Sequence, residues 1–248
     1  MSGHSKWSTI KRQKAVTDHR RSKSWARITR DIMVASREGG GDPGMNARLS
    51  VCVDKAKAEN MPKANITRAI KRGTGEIEGA DYEETAYEGY APHGIAVFVD
   101  ALTDNTNRTV ADLRAMFSKA GGQLGTTGSV QFLFDRKGIF EIKAEGQDEM
   151  ELFELVADAG AEDMVQEEDH FIVTTPVEAY GAVQSALEEA GIPVEQADLQ
   201  RIPTMTKTLP LDEAQKVAAL LEKMEEHQDV QTVNSTLEFD EELVALLG

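Results

Sequence analysis

The chain has 248 residues, 40% of them apolar, and a formal net charge of -16, a length that suggests two or three domains at the usual figure of about 150 residues each. A single cysteine, Cys52, excludes an internal disulfide framework and a cysteine-clustered zinc site. No apolar run approaches the ~20 residues of a membrane span, and charges stand where a secretory leader would be apolar, so a cytoplasmic protein with no membrane partner is expected.

Along the chain that charge is unevenly spread. Residues 1–75 hold seventeen Lys and Arg against six Asp and Glu, a local charge of +11, which leaves -27 on the remainder. One part is attracted to polyanions and the other repels them.

The basic part reads as helical. After Ser24, Trp25, Ile28, Ile32 and Ala35 recur at helical spacing, with Arg20, Lys23, Arg27, Arg30 and Arg37 roughly opposite and Val34 out of pattern. "GGGDPG" at 39–44 ends this helix. A second is predicted from about Asn46 to Glu59 with Leu49, Val53 and Ala56 inward, and a third from Pro62, carrying Ile66, Ala69 and Ile70, to a stop at Gly73.

From Tyr82 the pattern changes to two β-rich runs, Thr85–Tyr90 and Ile95–Leu102, around a Pro-His-Gly turn. "DNTNRTVADLRAMFSKAGG" follows as a capped helix, and "SVQFLFDRKG" returns to strand. The next block reads strand "GIFEIKA", helix "QDEMELFELVADAG", strands "DMVQEED" and "HFIVTTP", helix "VEAYGAVQSALEEAG" and strand "VEQADLQRIP", which is the β-α-β-β-α-β order of the ferredoxin-like motif. "TKTLP", a helix over 211–227 and "VQTVNSTLEF" then supply strand, helix and strand.

The expected fold is therefore α+β with three domains: an N-terminal three-helix domain over 1–78, a discontinuous α+β domain over 79–135 plus 203–248, and a ferredoxin-like domain over 136–202 inserted into it.

A basic patch releases condensed counterions when its side chains meet phosphates, so nucleic acid is the expected partner. The candidate contacts are Lys6, Trp7, Lys11, Arg12, Lys14, Arg20, Arg21, Lys23, Arg27 and Arg30. Trp7 suits either stacking on an unpaired base or packing the arm onto the helices, whereas Trp25 falls at core spacing. Among Asp104, Asn105, Asn107 and Arg108, capping and turn formation account for the first three; Arg108 is the member least needed for structure and joins the contact set. No recognition helix, zinc finger or aromatic RNA-binding signature is legible, which leaves backbone and shape recognition and slightly favours structured RNA.

Catalytic signals are weaker. His4, His19, His93, His170 and His227 lack ligand spacing, so no metal site is expected, although Ser2-Gly3-His4 behind a freed amine is a copper- or nickel-type chelate. "GGQLGTTGS" lacks the lysine of a phosphate loop and reads as a tight helix-to-strand connection. With no Ser-His-Asp or Cys-His grouping, neither an enzyme nor a cofactor is expected, and Cys52 reads as a small apolar filler. The acidic remainder would orient the basic domain on its target, meet a basic protein, or keep the chain soluble.

"GHSKWSTIKRQK", "REGGGDPGMNARL", "NMPKANITRAIKRGTG", "YEGYAPHG", "DNTNRTVADLR", "GGQLGTTGSVQFLF" and "AGAEDM" together resemble, in order and over nearly the whole chain, the YebC family. That resemblance implies one all-helical and two α+β domains around a cleft, and a regulator acting on nucleic acid. Bacterial members are commonly described as probable transcriptional regulators that bind DNA. The mitochondrial relatives, which include the translational activator of cytochrome c oxidase, act at the ribosome, where the family is linked to translation of proline-rich stretches. Both readings stand at this point, DNA or ribosomal RNA; a third, an enzyme using the acidic cleft, lacks a catalytic grouping to support it.

Overall fold

The structure, a computed structural model, describes residues 21–247. It contains two compact units, residues 132–206 on one side and residues up to 131 together with 207 onward on the other.

The larger unit begins with three helices, α1 (Arg21–Gly39), α2 (Ala47–Ala58) and α3 (Lys63–Gly73). They form where the apolar periodicity places them. Ile28 and Ile32 from α1, Leu49, Val53 and Ala56 from α2, and Ile66 and Ala69 from α3 make one core, flanked by Trp25 and Cys52. Val34, out of register with that stripe, is also buried but lies outside this core.

Asn46 fixes the corner between α1 and α2. Its Oδ1 accepts from the Leu49 amide at 3.0 Å as an N-cap, while its Nδ2 donates to the carbonyls of Ala35 and Gly40, both at 2.8 Å. One buried side chain therefore serves the end of one helix and the start of the next. Gly73 brings α3 against α1: a Cβ there would stand 2.3 Å from the Met33 carbonyl oxygen.

The rest of this unit is a four-stranded antiparallel sheet in the order β3-β1-β2-β8, from β1 (Glu83–Ala91), β2 (Ile95–Thr103), β3 (Gln123–Leu124) and β8 (Val230–Ser235). Its helices are α4 (Thr106–Ala120), α7 (Leu211–Glu225) and the short α8 (Glu241–Leu247). Ile95, Val97 and Val99 share a core with Leu113 and Phe117 of α4 and Val217 and Leu221 of α7. "TKTLP" is not a strand; it contributes one isolated bridge, Lys207 to Leu237. Its prolyl end instead starts α7, whose N-cap is Pro210. The sequence pattern does not reveal α8, a seven-residue element held by the Asp240 cap on the Leu243 amide and by burial of Leu243.

The smaller unit is the ferredoxin-like motif: β4 (Phe134–Lys143), α5 (Glu149–Asp158), β5 (Asp163–Glu167), β6 (His170–Pro176), α6 (Tyr180–Glu189) and β7 (Val194–Pro203). Its antiparallel sheet has the order β5-β6-β4-β7. Phe140, Ile142, Phe171 and Val173 pack against Leu152, Val156, Val183 and Leu187 of the two helices. "SVQFLFDRKG" and "GIFEIKA" are one strand and not two. Gln131–Leu133 is a turn of 3-10 helix, and β4 runs unbroken from Phe134 because its ladder with β7 extends from Phe134–Pro203 through Ile142–Val194. Gly138, mid-strand, leaves the space that Tyr180 fills over Phe140, with ring centroids 4.7 Å apart.

Candidate nucleic-acid interface

Lys6, Trp7, Lys11, Arg12, Lys14 and Arg20 lie outside the described residues, as do the side chains of Arg21 and Lys23 at the start of α1. The structure describes the remaining candidates, Arg27, Arg30 and Arg108.

On α1 the arginines dock the helix. Arg27 donates to the carbonyl of Glu225, the last residue of α7, and Arg30 donates to that of Gln228, three residues beyond it. Carbonyls without intrahelical partners and the negative end of the helix dipole make that terminus a favourable place for two guanidinium groups. Arg30 also stands 5.4 Å from the Tyr82 ring centroid, and Arg37 donates to the Tyr82 carbonyl at 2.6 Å. The cationic face of α1 thus holds the helical domain against the sheet domain.

Arg108 is likewise tied into structure, contrary to its reading as the dispensable member of its cluster. Its Nη2 donates to Asp229 at 2.7 Å and to Asp104 at 2.8 Å. Asp229, 1% exposed, also accepts from Thr109 at 2.8 Å and Thr103 at 3.2 Å. Burial alone would raise the Asp229 carboxyl, but the Arg108 and Thr109 hydrogen bonds, with the charges of Arg108 and His227, outweigh it and hold the group below the usual carboxylate range. Asn105 caps α4 on the Arg108 amide, as its place in the sequence implies.

Among the described residues of the helical domain, the available cations are on α3. This helix contains no acid, and its exposed residues include Lys63, Arg68, Lys71 and Arg72. Lys71 is 3.7 Å from Glu76, but Lys63, Arg68 and Arg72 make no ion pair or hydrogen bond among the described residues. Arg68 and Arg72, four apart, border a shallow open depression with Trp25, Thr29, Met61 and Asn65. The indole Nε1 of Trp25 donates to the Glu59 carbonyl at 3.0 Å, so the ring is fixed in place beside these arginines. The sequence carries a signal for this face, the acid-free run KANITRAIKRG, but the denser basic run before it outweighs it in any reading by charge alone.

The "GGQLGTTGS" loop is rigidified from β1. The buried carboxylate of Glu88 accepts from the amides of Gly128 at 2.6 Å, Val130 at 2.7 Å and Gln131 at 2.8 Å. Gly122 passes so close to β1 that a Cβ would lie 2.4 Å from the Tyr90 carbonyl oxygen.

A small basic helical domain, a sheet domain and a ferredoxin-like domain inserted within it define a three-domain α+β protein with cations concentrated at one end of its sequence. The TACO1/YebC N-terminal domain matches residues 5–76 and the TACO1/YebC second and third domain matches residues 82–237, so the chain belongs to the TACO1/YebC family. A probable transcriptional regulatory protein of Salinibacter ruber is 51% identical over 247 residues, covering 99% of this chain and 96% of that one. Another of the same name from Nitrosococcus oceani is 49% identical over 249 residues, with 100% of both chains covered. The crystal structure of a conserved hypothetical protein of Aquifex aeolicus superposes with a TM-score of 0.80 at 44% identity, covering 89% of this chain and 91% of that chain.

Proposed function

We propose that this chain is a non-enzymatic, nucleic-acid-binding regulator of gene expression that meets its polyanion through the helical domain. The observation that carries this reading is the exposed, acid-free face of α3, where Lys63, Arg68 and Arg72 have no partner among the described residues, within a segment of charge +11. Unpaired surface cations on a rigid helix gain most from replacing counterions on a phosphate backbone. The names of the relatives from Salinibacter ruber and Nitrosococcus oceani, probable transcriptional regulatory proteins, agree with a regulatory role.

A second reading, a ribosome-associated translation factor, is favoured by what that face offers. Its cations suit the phosphates of either polymer, and although arginine can also read a guanine edge, Asn65 is the one amide side chain on α3 for reading adenine. Two measurements separate the readings. The full chain is titrated with a duplex DNA fragment and with a ribosomal RNA fragment between about 50 and 200 mM salt, where binding through phosphates weakens steeply. Cell lysate is also sedimented on sucrose gradients. Travel with ribosomes at low salt and release as salt rises supports the translation reading; absence from those fractions with salt-sensitive duplex binding supports the DNA reading. Salt-independent binding, or none to either polymer, overturns both.

A further inference from the structure

On the sheet of the ferredoxin-like unit, Glu141 and Lys143 of β4 alternate with the core residues Phe140 and Ile142, so they point to the face away from the helices. His170 opens β6 directly opposite Lys143 and alternates with Phe171 in the same way. The third contributor arrives through an irregularity. In the β4–β7 ladder Glu141 pairs with Gln196 and Ile142 with Val194, leaving Glu195 as the extra residue of a bulge. Bulges re-aim side chains, and this one turns the Glu195 carboxylate to His170.

The distances assign each donor atom. Glu195 Oε2 is 2.9 Å from His170 Nε2, Glu141 Oε1 is 3.8 Å from the same nitrogen, and one donor atom from each of the three residues lies within 4.8 Å of the others. The other ring nitrogen, Nδ1, is 2.7 Å from Asp169 Oδ1. Donation from Nδ1–H to Asp169 leaves the Nε2 lone pair facing two carboxylates. In that tautomer three acceptor atoms converge on one point, an arrangement that a cation shared by the three donors satisfies. Lys143 Nζ holds the remaining Glu195 oxygen, Oε1, at 2.9 Å and so fixes which oxygen faces His170.

We propose that Glu141, His170 and Glu195 form a binding site for a divalent transition-metal ion, with Asp169 and Lys143 orienting the ligands from behind. One imidazole and two carboxylates are a zinc-type donor set, three protein ligands leaving a position for water. Bonds of about 2.0–2.2 Å in a tetrahedral arrangement separate ligand atoms by roughly 3.4 Å, inside the range the three donors already span. A carboxylate on the distal ring nitrogen is the usual companion of a ligating histidine. The residues lie 29 and 25 positions apart in sequence, so spacing rules for metal motifs miss the grouping, which the strand register creates.

Equilibrium dialysis of the full, tag-free chain against Zn2+ with elemental analysis tests the assignment. The expected result is one bound equivalent per chain, lost in His170→Ala and in Glu195→Gln, both checked for retained circular dichroism, and weakened about 10- to 100-fold in Asp169→Asn. His4→Ala, which removes the amino-terminal chelate, is expected to retain that equivalent. Of the two ligand variants, Glu195→Gln, at 37% side-chain exposure against 11% for His170, is the less exposed to a folding failure. No stoichiometric zinc in the wild-type chain, or equal binding by wild type, His170→Ala and Glu195→Gln, overturns the site.

Discussion

In the sheet domain two of the buried carboxylates are surrounded by donors: Glu88 by three backbone amides, Asp229 by Arg108, Thr109 and Thr103. On α3 of the helical domain, Arg68 and Arg72 stand exposed with no ionic or hydrogen-bonding partner among the described residues. A buried charge is tolerated only when its hydrogen-bonding capacity is used, so Glu88 and Asp229 work for the fold. An exposed unpaired cation does little for the fold and remains available to an outside anion. The difference separates charges that build the protein from charges that face a partner, and substitutions in the two regions should therefore fail in different ways.

The largest loss of stability is expected from Glu88→Ala. It strands the buried amide of Val130 and the part-buried amides of Gly128 and Gln131; hydrogen bonds to a charged group are worth about 1.5–3 kcal/mol each, and because the latter two amides can turn to water the cost should fall short of the full sum, at roughly 3–6 kcal/mol. A lower denaturant midpoint at unchanged slope would report it. A variant as stable as wild type would break the distinction, since Glu88 would then be a charge held without structural need.

Asp229→Asn should cost less, about 2–3 kcal/mol, because an amide oxygen still accepts from the threonines while Arg108 loses its buried counter-charge. It should also change the acid limb. The folded carboxyl sits below its unfolded value near 3.9, so its stabilisation is fully present above that value and is lost as pH falls through the lower, folded value. Wild type is therefore expected to lose stability relative to Asp229→Asn on acidification, and parallel stability curves through that window would exclude the assigned role.

These two networks also mark where sequence reading ends. The three helices are legible because each carries its own instructions: Asn46 as a cap, Pro62 before α3, and apolar residues three or four apart. The ferredoxin-like order is legible for the same reason. Asp229 and Arg108 lie 121 positions apart, and nothing in a local window pairs them. Their meeting depends on β8 closing against β2, a tertiary event, and the gathering of Glu141, His170 and Glu195 depends in the same way on β4 pairing with β6 and β7. Helical periodicity alone shows the α1 arginines as one cationic face; that the face meets the carbonyl end of α7 follows only from where α7 ends in space. Arg68 and Arg72 are visible in the sequence as charges, and only their want of partners among the described residues distinguishes them from Arg37, Arg48 and Lys57 of the same domain, which are paired.

Asn46→Ala probes stability within the helical domain without touching charge. Removing the cap on Leu49 should cost about 1–2 kcal/mol, with a further penalty where the Ala35 carbonyl is left in a buried corner. Nucleic-acid affinity measured well below the melting temperature should hold, because the cations of α3 are on another helix. Weaker binding with full folding retained would connect the α1–α2 corner to the interface and blur the separation.

The smallest effect on stability belongs to the double variant Arg68→Gln, Arg72→Gln. Both side chains are exposed and unpaired, and the replacements keep helix propensity, so the melting midpoint should correspond to a change within about 0.5 kcal/mol. Binding should respond in the opposite way. Every phosphate that is no longer neutralised lowers the dependence of log affinity on log salt by about 0.9 for duplex DNA and about 0.7 for single strands, so removing both guanidinium groups takes close to two units of slope from a duplex titration. The measurement separates the surface of α3 from the arginines of α1, since Arg27→Gln would weaken docking to the end of α7 and register in stability as well. An unchanged slope with the protein fully folded would move the interface off α3, whereas a flattened slope at unchanged stability is what charges reserved for a partner require.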